Sequence, residues 1–243
     1  MPVSYWVSED GEEPADVWYK KVDEKITLGK LRNKKSSTLV IDPELIFATY
    51  SGSSLDNFGF TATYDAQGNL YSGGIALEPT PFNPRSNGSY PVTAGAYDVS
   101  FNGGSFSGVE GNNSPCDIAI SKYSSDGSQL IYSTYIGGMD NEYPHSLIID
   151  SEGNLVLFGT TTSVDYPTTL SAYNRKFNLS GDTIAEFSDI IISKFNTDGS
   201  RLLGSTFFGG SKDDGLNKGY NATRDFYSDE FRGEVNIDTN NQI

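Results

Sequence analysis

Apolar residues in this chain come in short runs broken by Asp, Asn, Gly and Ser, and one run appears three times: LIFATYSGS at 45–53, LIYSTYIGG at 130–138 and LLGSTFFGG at 202–210. Tyr50, Tyr135 and Phe207 hold the same place in the three copies, 85 and 72 residues apart. The copies belong to a longer repeated text. DIAISKYSSDGS at 117–128 returns 72 residues on as DIIISKFNTDGS, and YPVTAGAYDVSFN from Tyr90 returns after 76 as YPTTLSAYNRKFN. YDAQGNLY at Tyr64 returns as IDSEGNLV at Ile149. Self-similarity of this kind means one structural unit repeated, and the unequal spacings place insertions between fixed strands.

Within a unit the pattern predicts strands and tight turns. Residues 145–150 (HSLIID) and 154–160 (NLVLFGT) flank Asp150-Ser151-Glu152-Gly153, where Asp caps a type I turn and Gly takes the left-handed position. Residues 190–195 and 201–209 flank Asn196-Thr197-Asp198-Gly199 by the same chemistry, and a long loop, 161–188, joins the two hairpins. Four antiparallel strands per unit, recurring in tandem, predict an all-β fold built as a partial β-propeller. A β-sandwich is the competing all-β architecture, but it would not need a hairpin phrase repeated so closely. Residues 235–243 line up with 147–155 and set Asp238 on Asp150 at a distance of 88. The third unit is therefore truncated inside a hairpin. Closed propellers need about 4 to 8 blades, so the expectation is a piece of a larger array.

Residues 1–44 stand outside the repeat and hold both tryptophans, Trp6 and Trp18, and lysines at 20, 21, 25, 30, 34 and 35. Residues 25–31 and 37–41 read as two strands joined by the polar turn Arg32-Asn33-Lys34-Lys35, with Asp42-Pro43 closing the second. The lysines read as a solvated strand face. The segment is too short for a core of its own and reads as the terminal strands of a preceding β domain and a linker. The expected organisation is thus 1–44, then a repeat region at 45–243 with units starting near 45, 130 and 202.

The repeat phrases also carry a resemblance. Thr134-Tyr135-Ile136-Gly137-Gly138, then Asp150 with Gly153-Asn154-Leu155, Gly159, Tyr166-Pro167 and the stretch 189–200 closely resemble the SBBP-type β-propeller repeat. The first unit departs from it, with Ser51-Gly52-Ser53 in place of the Gly pair. STLVIDPE at 37–44 resembles the segment that leads into the first such repeat in large secreted bacterial surface proteins, notably type IX secretion cargo. The resemblance implies a fold and hardly any activity.

Charge and cysteine count narrow the classes. With 17 basic and 32 acidic residues the net charge is -15, a surface that repels phosphate backbones and anionic lipid. Nucleic acid is therefore not an expected partner. No run of about 18 apolar residues is present to cross a membrane as a helix, and residues 1–6 lack the basic and apolar regions of a signal peptide. One cysteine, Cys116, excludes an internal disulfide and a Cys-based zinc site, and reads as a lone thiol near a loop.

Candidate chemistry is sparse. Asp65, Asp150 and Asp238 occupy equivalent turn positions, as do Asp126 and Asp198; equivalence in every unit is what structural capping predicts. Ser125-Asp126-Gly127-Ser128 does not fit a sialidase Asp-box. His145 is the only histidine, and with no GxSxG phrase to partner it, it reads as a half-buried strand residue. P-loop, Rossmann and HExxH phrases are absent. Acidic clusters beside the glycine pairs offer oxygen ligands for calcium, with Asp56, Asp140, Asp213 and Asp214 as the candidates; none has EF-hand spacing, and solvated acidic turns are the simpler reading. Tyr and Phe of the TYxGG phrases read as sheet-packing residues before sugar-stacking ones.

These features together give the expectation of a non-enzymatic scaffold or adhesion module in a secreted or cell-surface protein. Its partners would be the remaining blades of the same protein or secretion and surface proteins, with glycans as candidate ligands. A carbohydrate-active hydrolase would instead show an asymmetric carboxylate pair in a pocket. A glycan-binding lectin would show exposed aromatics at equivalent loop positions such as Tyr97 and Tyr173.

Overall fold

The computed structural model describes residues 3–22, 25–30, 37–42, 46–77, 89–104, 115–177, 188–210, 214–215 and 233–243. Among them every regular element is a strand. The chain divides into two compact units, Met1–Ala48 and Thr49–Ile243.

The first unit has five strands: β1 (Val3–Ser8), β2 (Gly11–Pro14), β3 (Val17–Val22), β4 (Lys25–Lys30) and β5 (Thr38–Asp42). They form a three-stranded sheet in the order β2-β1-β5 and a separate β3-β4 pair. The two strands expected from the sequence are present, but they do not pair with each other. β4 lies against β3, with Val22 opposite Lys25, while β5 lies against β1, with Val3 opposite Asp42. Joining Val22 to Lys25 closes a far shorter loop than joining Lys30 to Thr38, which favours the observed hairpin. Lys20 is exposed. The turn at 32–35 and the side chains of the other five lysines lie outside the described residues.

In the second unit β6 (Asn57–Tyr64), β7 (Leu70–Leu77), β8 (Cys116–Tyr123) and β9 (Leu130–Ile136) make one antiparallel sheet in chain order. β10 (Glu142–Ile149), β11 (Leu155–Thr161), β12 (Asp189–Phe195) and β13 (Leu202–Phe208) make a second of the same design. Each sheet is a meander of neighbouring segments, and no strand crosses from one to the other. That is the construction of propeller blades and not of a Greek-key sandwich, which interleaves its sheets.

The hairpin turns follow the expected chemistry. Gly68, Gly127, Gly153 and Gly199 all have positive φ, between 68° and 84°. At the fifth turn Asn241 stands where the alignment sets Gly153, and its φ is 61°, a conformation Asn tolerates better than most residues. Asp238 N donates to Gln242 O at 2.9 Å as Asp150 N does to Asn154 O at 3.0 Å. The register of the third unit is thus kept at its turn.

The first copy of the repeated phrase departs from the other two. Residues 46–53 form no strand, and Tyr50 is 94% exposed, although the equivalent phrases supply β9 and β13. Those strands lie against β8 and β12, which come from the DIxISK phrase. No such phrase stands between residues 1 and 45, and among the described residues no strand lies against the first copy.

Alternating side chains of β8 and β12 fill the core. One cluster takes Tyr71, Ile118, Ile120 and Tyr132 from the first sheet together with Leu147, Leu155, Leu157 and Phe195 from the second. Each aliphatic side chain buried this way stabilises the fold by about 1.5–3 kcal/mol. On the outer strands Tyr135 packs between Tyr90 and Phe101, at centroid distances of 5.8 and 6.0 Å. Phe207 packs the same way between Tyr166 and Phe177, at 6.2 and 5.9 Å. The TYxGG aromatics therefore pack against the blade in both complete copies.

Candidate functional site

Polar groups that recur in the two blades are engaged in holding the blades together. Asp65 accepts from the amides of Gln67 and Asn69, from Asn69 Nδ2 and from Lys122 Nζ, the last at 3.1 Å. Asp150 accepts from the amides of Glu152 and Asn154, from Asn154 Nδ2, and from Lys194 Nζ at 2.6 Å. Burial pushes each of these carboxyls up, but the hydrogen bonds and the lysine outweigh it and hold both below their ordinary value. Asp238 caps its turn through the Asn240 and Gln242 amides, and Asp126 and Asp198 do the same for Ser128 and Ser200. Further inside, Tyr90 bonds Ser121 and Ser121 bonds Ser133, both at 2.8 Å. Tyr166, Ser193 and Ser205 repeat the relay at 2.9 and 2.8 Å. Leaving such hydroxyls unpaired would cost about 1–3 kcal/mol each.

Where successive units meet, the residues differ. A cavity of about 420 Å³ is lined by Phe60, Thr61 and Ala62, by His145, Ser146 and Leu147, and by Gly233, Glu234 and Val235. These are three equivalent triplets, offset by the repeat spacings of 85 and 88. The first two are placed by β-bulges at matching positions: Phe60 is the extra residue between Gly59 and Thr61, and His145 the extra one between Pro144 and Ser146. Opposite each bulge stands a glycine, Gly74 or Gly159, whose Cβ would run into the carbonyl of Phe58 or Tyr143. This explains the glycine of the GNLxxxG phrase. A bulge re-aims a side chain, so the sequence difference Phe60, His145, Gly233 is presented at one place.

His145 is buried there. Its Nε2 lies 3.2 Å from Thr160 Oγ1, and its ring meets Phe158 edge-on at 5.7 Å. Burial depresses its pKa to about 4, so the imidazole is neutral at pH 7 and a weak base. The cavity offers apolar contact from Phe60 and Leu147 and hydroxyls from Thr61 and Ser146.

A second cluster sits at the junction of the two sheets. Asp117 is the second residue of β8 and Glu142 opens β10, and both are fully buried. Asp117 Oδ2 accepts the Asn102 amide at 2.6 Å, while Glu142 Oε1 accepts Thr161 Oγ1 and Ser163 Oγ, each at 2.5 Å. Among the described residues no well-aligned hydrogen bond reaches their other oxygens, Asp117 Oδ1 and Glu142 Oε2. Burial pushes Asp117 up to about 7, with Asp98 adding to the effect. Burial, then the Asp117 charge, holds Glu142 well above the usual range, opposed by Ser163, Thr161 and the Gly138 amide.

Of the acidic residues singled out for calcium, Asp56 is exposed and Asp140 is half-buried, with its amide donating to Ser163 Oγ. Asp214 takes the place of Glu142 at the following junction, where its Oδ2 accepts the Gly210 amide at 2.5 Å. Asp213 lies outside the described residues. No three His, Cys, Asp or Glu side chains converge among the described residues. Asp117 escaped the sequence reading as a site residue, although it heads a phrase repeated in register at Asp189.

The two tyrosines that a lectin would expose part company. Tyr97 meets Phe195 of the next blade edge-on at 5.7 Å, and its amide donates to Gly199 O at 2.8 Å. Tyr173 is 86% exposed. Tyr97 is a blade-to-blade contact, and Tyr173 is the same residue with no described blade against it. Cys116 is buried, its thiol pushed up to about 12 by that burial, and its Sγ lies 3.7 Å from Glu142 O. Such a thiol is not nucleophilic near neutral pH.

Among the described residues no helix is long and apolar enough to cross a membrane. Against known protein families and curated proteins the sequence finds no match. The described residues are all-β, and their two four-stranded antiparallel sheets have the build of propeller blades.

Proposed function

We propose that this chain is a segment of a secreted or cell-surface propeller protein of the SBBP-repeat kind, working as a non-enzymatic scaffold and interaction module. The observation that carries the reading is the division of labour between positions. Residues common to the blades cap turns and bridge strands, while the three unlike triplets line a shared cavity. A frame that repeats and a recess that varies suit recognition. Neutral, buried His145 beside apolar Phe60 and Leu147 suits binding better than acid–base chemistry. Its partners on this reading are further blades of the same protein or other surface and secretion proteins, with glycans as candidate small ligands.

The test is surface plasmon resonance of the purified chain against panels of polysaccharides and surface proteins, in parallel with chromogenic glycoside and ester substrates. Saturable binding that weakens tenfold or more in Phe60→Ala, with no turnover, is the expected result. Turnover abolished by His145→Ala would replace this reading with the hydrolase one.

A further inference from the structure

Successive units divide the space at their junctions in opposite ways. In the first blade β7 has Gly73 where β11 of the second has Phe158, 85 residues on. A Cβ built on Gly73 would lie 2.8 Å from Leu147 Cδ1 and 3.1 Å from Thr61 Cγ2, so the place of its side chain is filled from the following unit by Leu147. At the next junction the side chain is present and its neighbour is reduced. A Cβ built on Gly233 would run into the ring of Phe158 and lie 3.1 Å from His145 Nδ1. Phe158 has little room to turn aside, because the His145 ring stands edge-on to it at 5.7 Å. Val235 also replaces the longer Leu147. Large meets small at both junctions with the sides exchanged, and close-packed interiors respond to a change of one methylene.

Phe60 holds on the first blade the place of His145 and Gly233. Against a unit with phenylalanine that place is glycine, and against a unit with glycine it is the much larger His145. Phe60, bulkier still, belongs with glycine. The face it stands on is arranged for such a neighbour. Phe58 is 53% exposed and Tyr64 75%, while their equivalents Tyr143 and Ile149 are buried and half-buried. Leu77 N donates to Asp56 O at 3.1 Å as Thr162 N donates to Asn141 O at 3.0 Å. The chain entering β6 is therefore held as is the chain entering β10, which has a blade beside it.

We propose that these positions form a size key that decides which unit can lie against which, and that the Phe60 face of the first blade takes as its neighbour a unit of the same repeat with glycine, not phenylalanine, at the place of Gly73. It rests on the reading that further blades are this chain's partners. A unit of the Phe158 kind is refused, because its ring and that of Phe60 would claim one space.

The experiment is thermal unfolding of the whole chain with substitutions at the first junction, where both blades are complete. Gly73→Phe alone should lower Tm by about 5 °C or more. With His145→Gly and Leu147→Val in place, which copy Gly233 and Val235, Gly73→Phe should cost less than half as much or raise Tm. His145→Phe, which sets the residue type of Phe60 against Gly73, should cost about 5 °C less in the wild-type background than beside Gly73→Phe. If Gly73→Phe does not fold, Gly73→Ala carries the same comparison with smaller differences, since its Cβ alone meets Leu147. Equal costs of the substitution at 73 in both backgrounds overturn the key. A His145→Phe that costs the same whichever residue stands at 73 overturns the assignment of Phe60 and leaves its face to a neighbour of other build. Melting judges the key, while binding and turnover judge the reading on which it rests, so either can fail alone.

Discussion

At the scale of single residues, the charges that matter are those removed from water. His145 is neutral in the fold, with a pKa depressed from 6.5 to about 4 by burial. The unfolded chain takes up a proton there first as pH falls, so the residue's contribution is present above pH 6.5 and is lost towards pH 4. The full loss amounts to roughly 3 kcal/mol. Asp117 has the opposite sign. Its folded pKa of about 7 exceeds the ordinary 3.8, so its contribution is greatest in acid and falls as pH rises through 7. Comparing urea midpoints of wild type and His145→Gln across pH 4 to 7 isolates the histidine: the wild type should lose stability relative to the variant on acidification. Such burial is hard to read from sequence. HSLIID announced a strand, but the bulge that turns His145 into the junction depends on its partner Gly159, fourteen residues further along the chain.

Strands and turns were far more legible, because turn chemistry and period-two patterning are local. Asp150 and Gly153 announced their hairpin, and Asp238 announced the start of another through the same bonds. What local chemistry left open was pairing. LIFATYSGS has the same strand-forming residues as its two copies, yet without a neighbour its backbone groups have no ladder to join, and Tyr50 is left in solvent. The first unit shows the same gap, since β4 and β5 were foreseen as strands joined by a turn, while their ladder partners are β3 and β1. Tyr97 and Tyr173 make the dependence on neighbours measurable. Tyr97→Ala should cost about 1–3 kcal/mol by removing its edge-on contact with Phe195. Tyr173→Ala, at the equivalent position, should stay within about 0.5 kcal/mol. Guanidinium unfolding of the two variants checks both, and equal losses would mean that Tyr173 too is covered in solution.

Over the whole chain, blade packing leaves apolar side chains at unmatched positions. Tyr173, Leu203 and Phe208 on the second blade and Phe58 and Tyr64 on the first are all exposed, and exposed apolar patches of this kind favour association. Sedimentation velocity should show mass rising with protein concentration, and Tyr173→Ser with Phe208→Ser should suppress the rise. A monomer at every concentration would show these side chains to be covered within one molecule.

The matched bulges bear on how such a protein can change. Phe60 and His145 contribute to a shared recess from bulge positions in successive blades. A residue at a bulge sits outside the ladder's one-to-one pairing, so exchanging it leaves the strand register to be set by the flanking pairs. The surface of the recess is thereby uncoupled from the frame that holds it, and new specificities are within reach of single substitutions at an unchanged backbone.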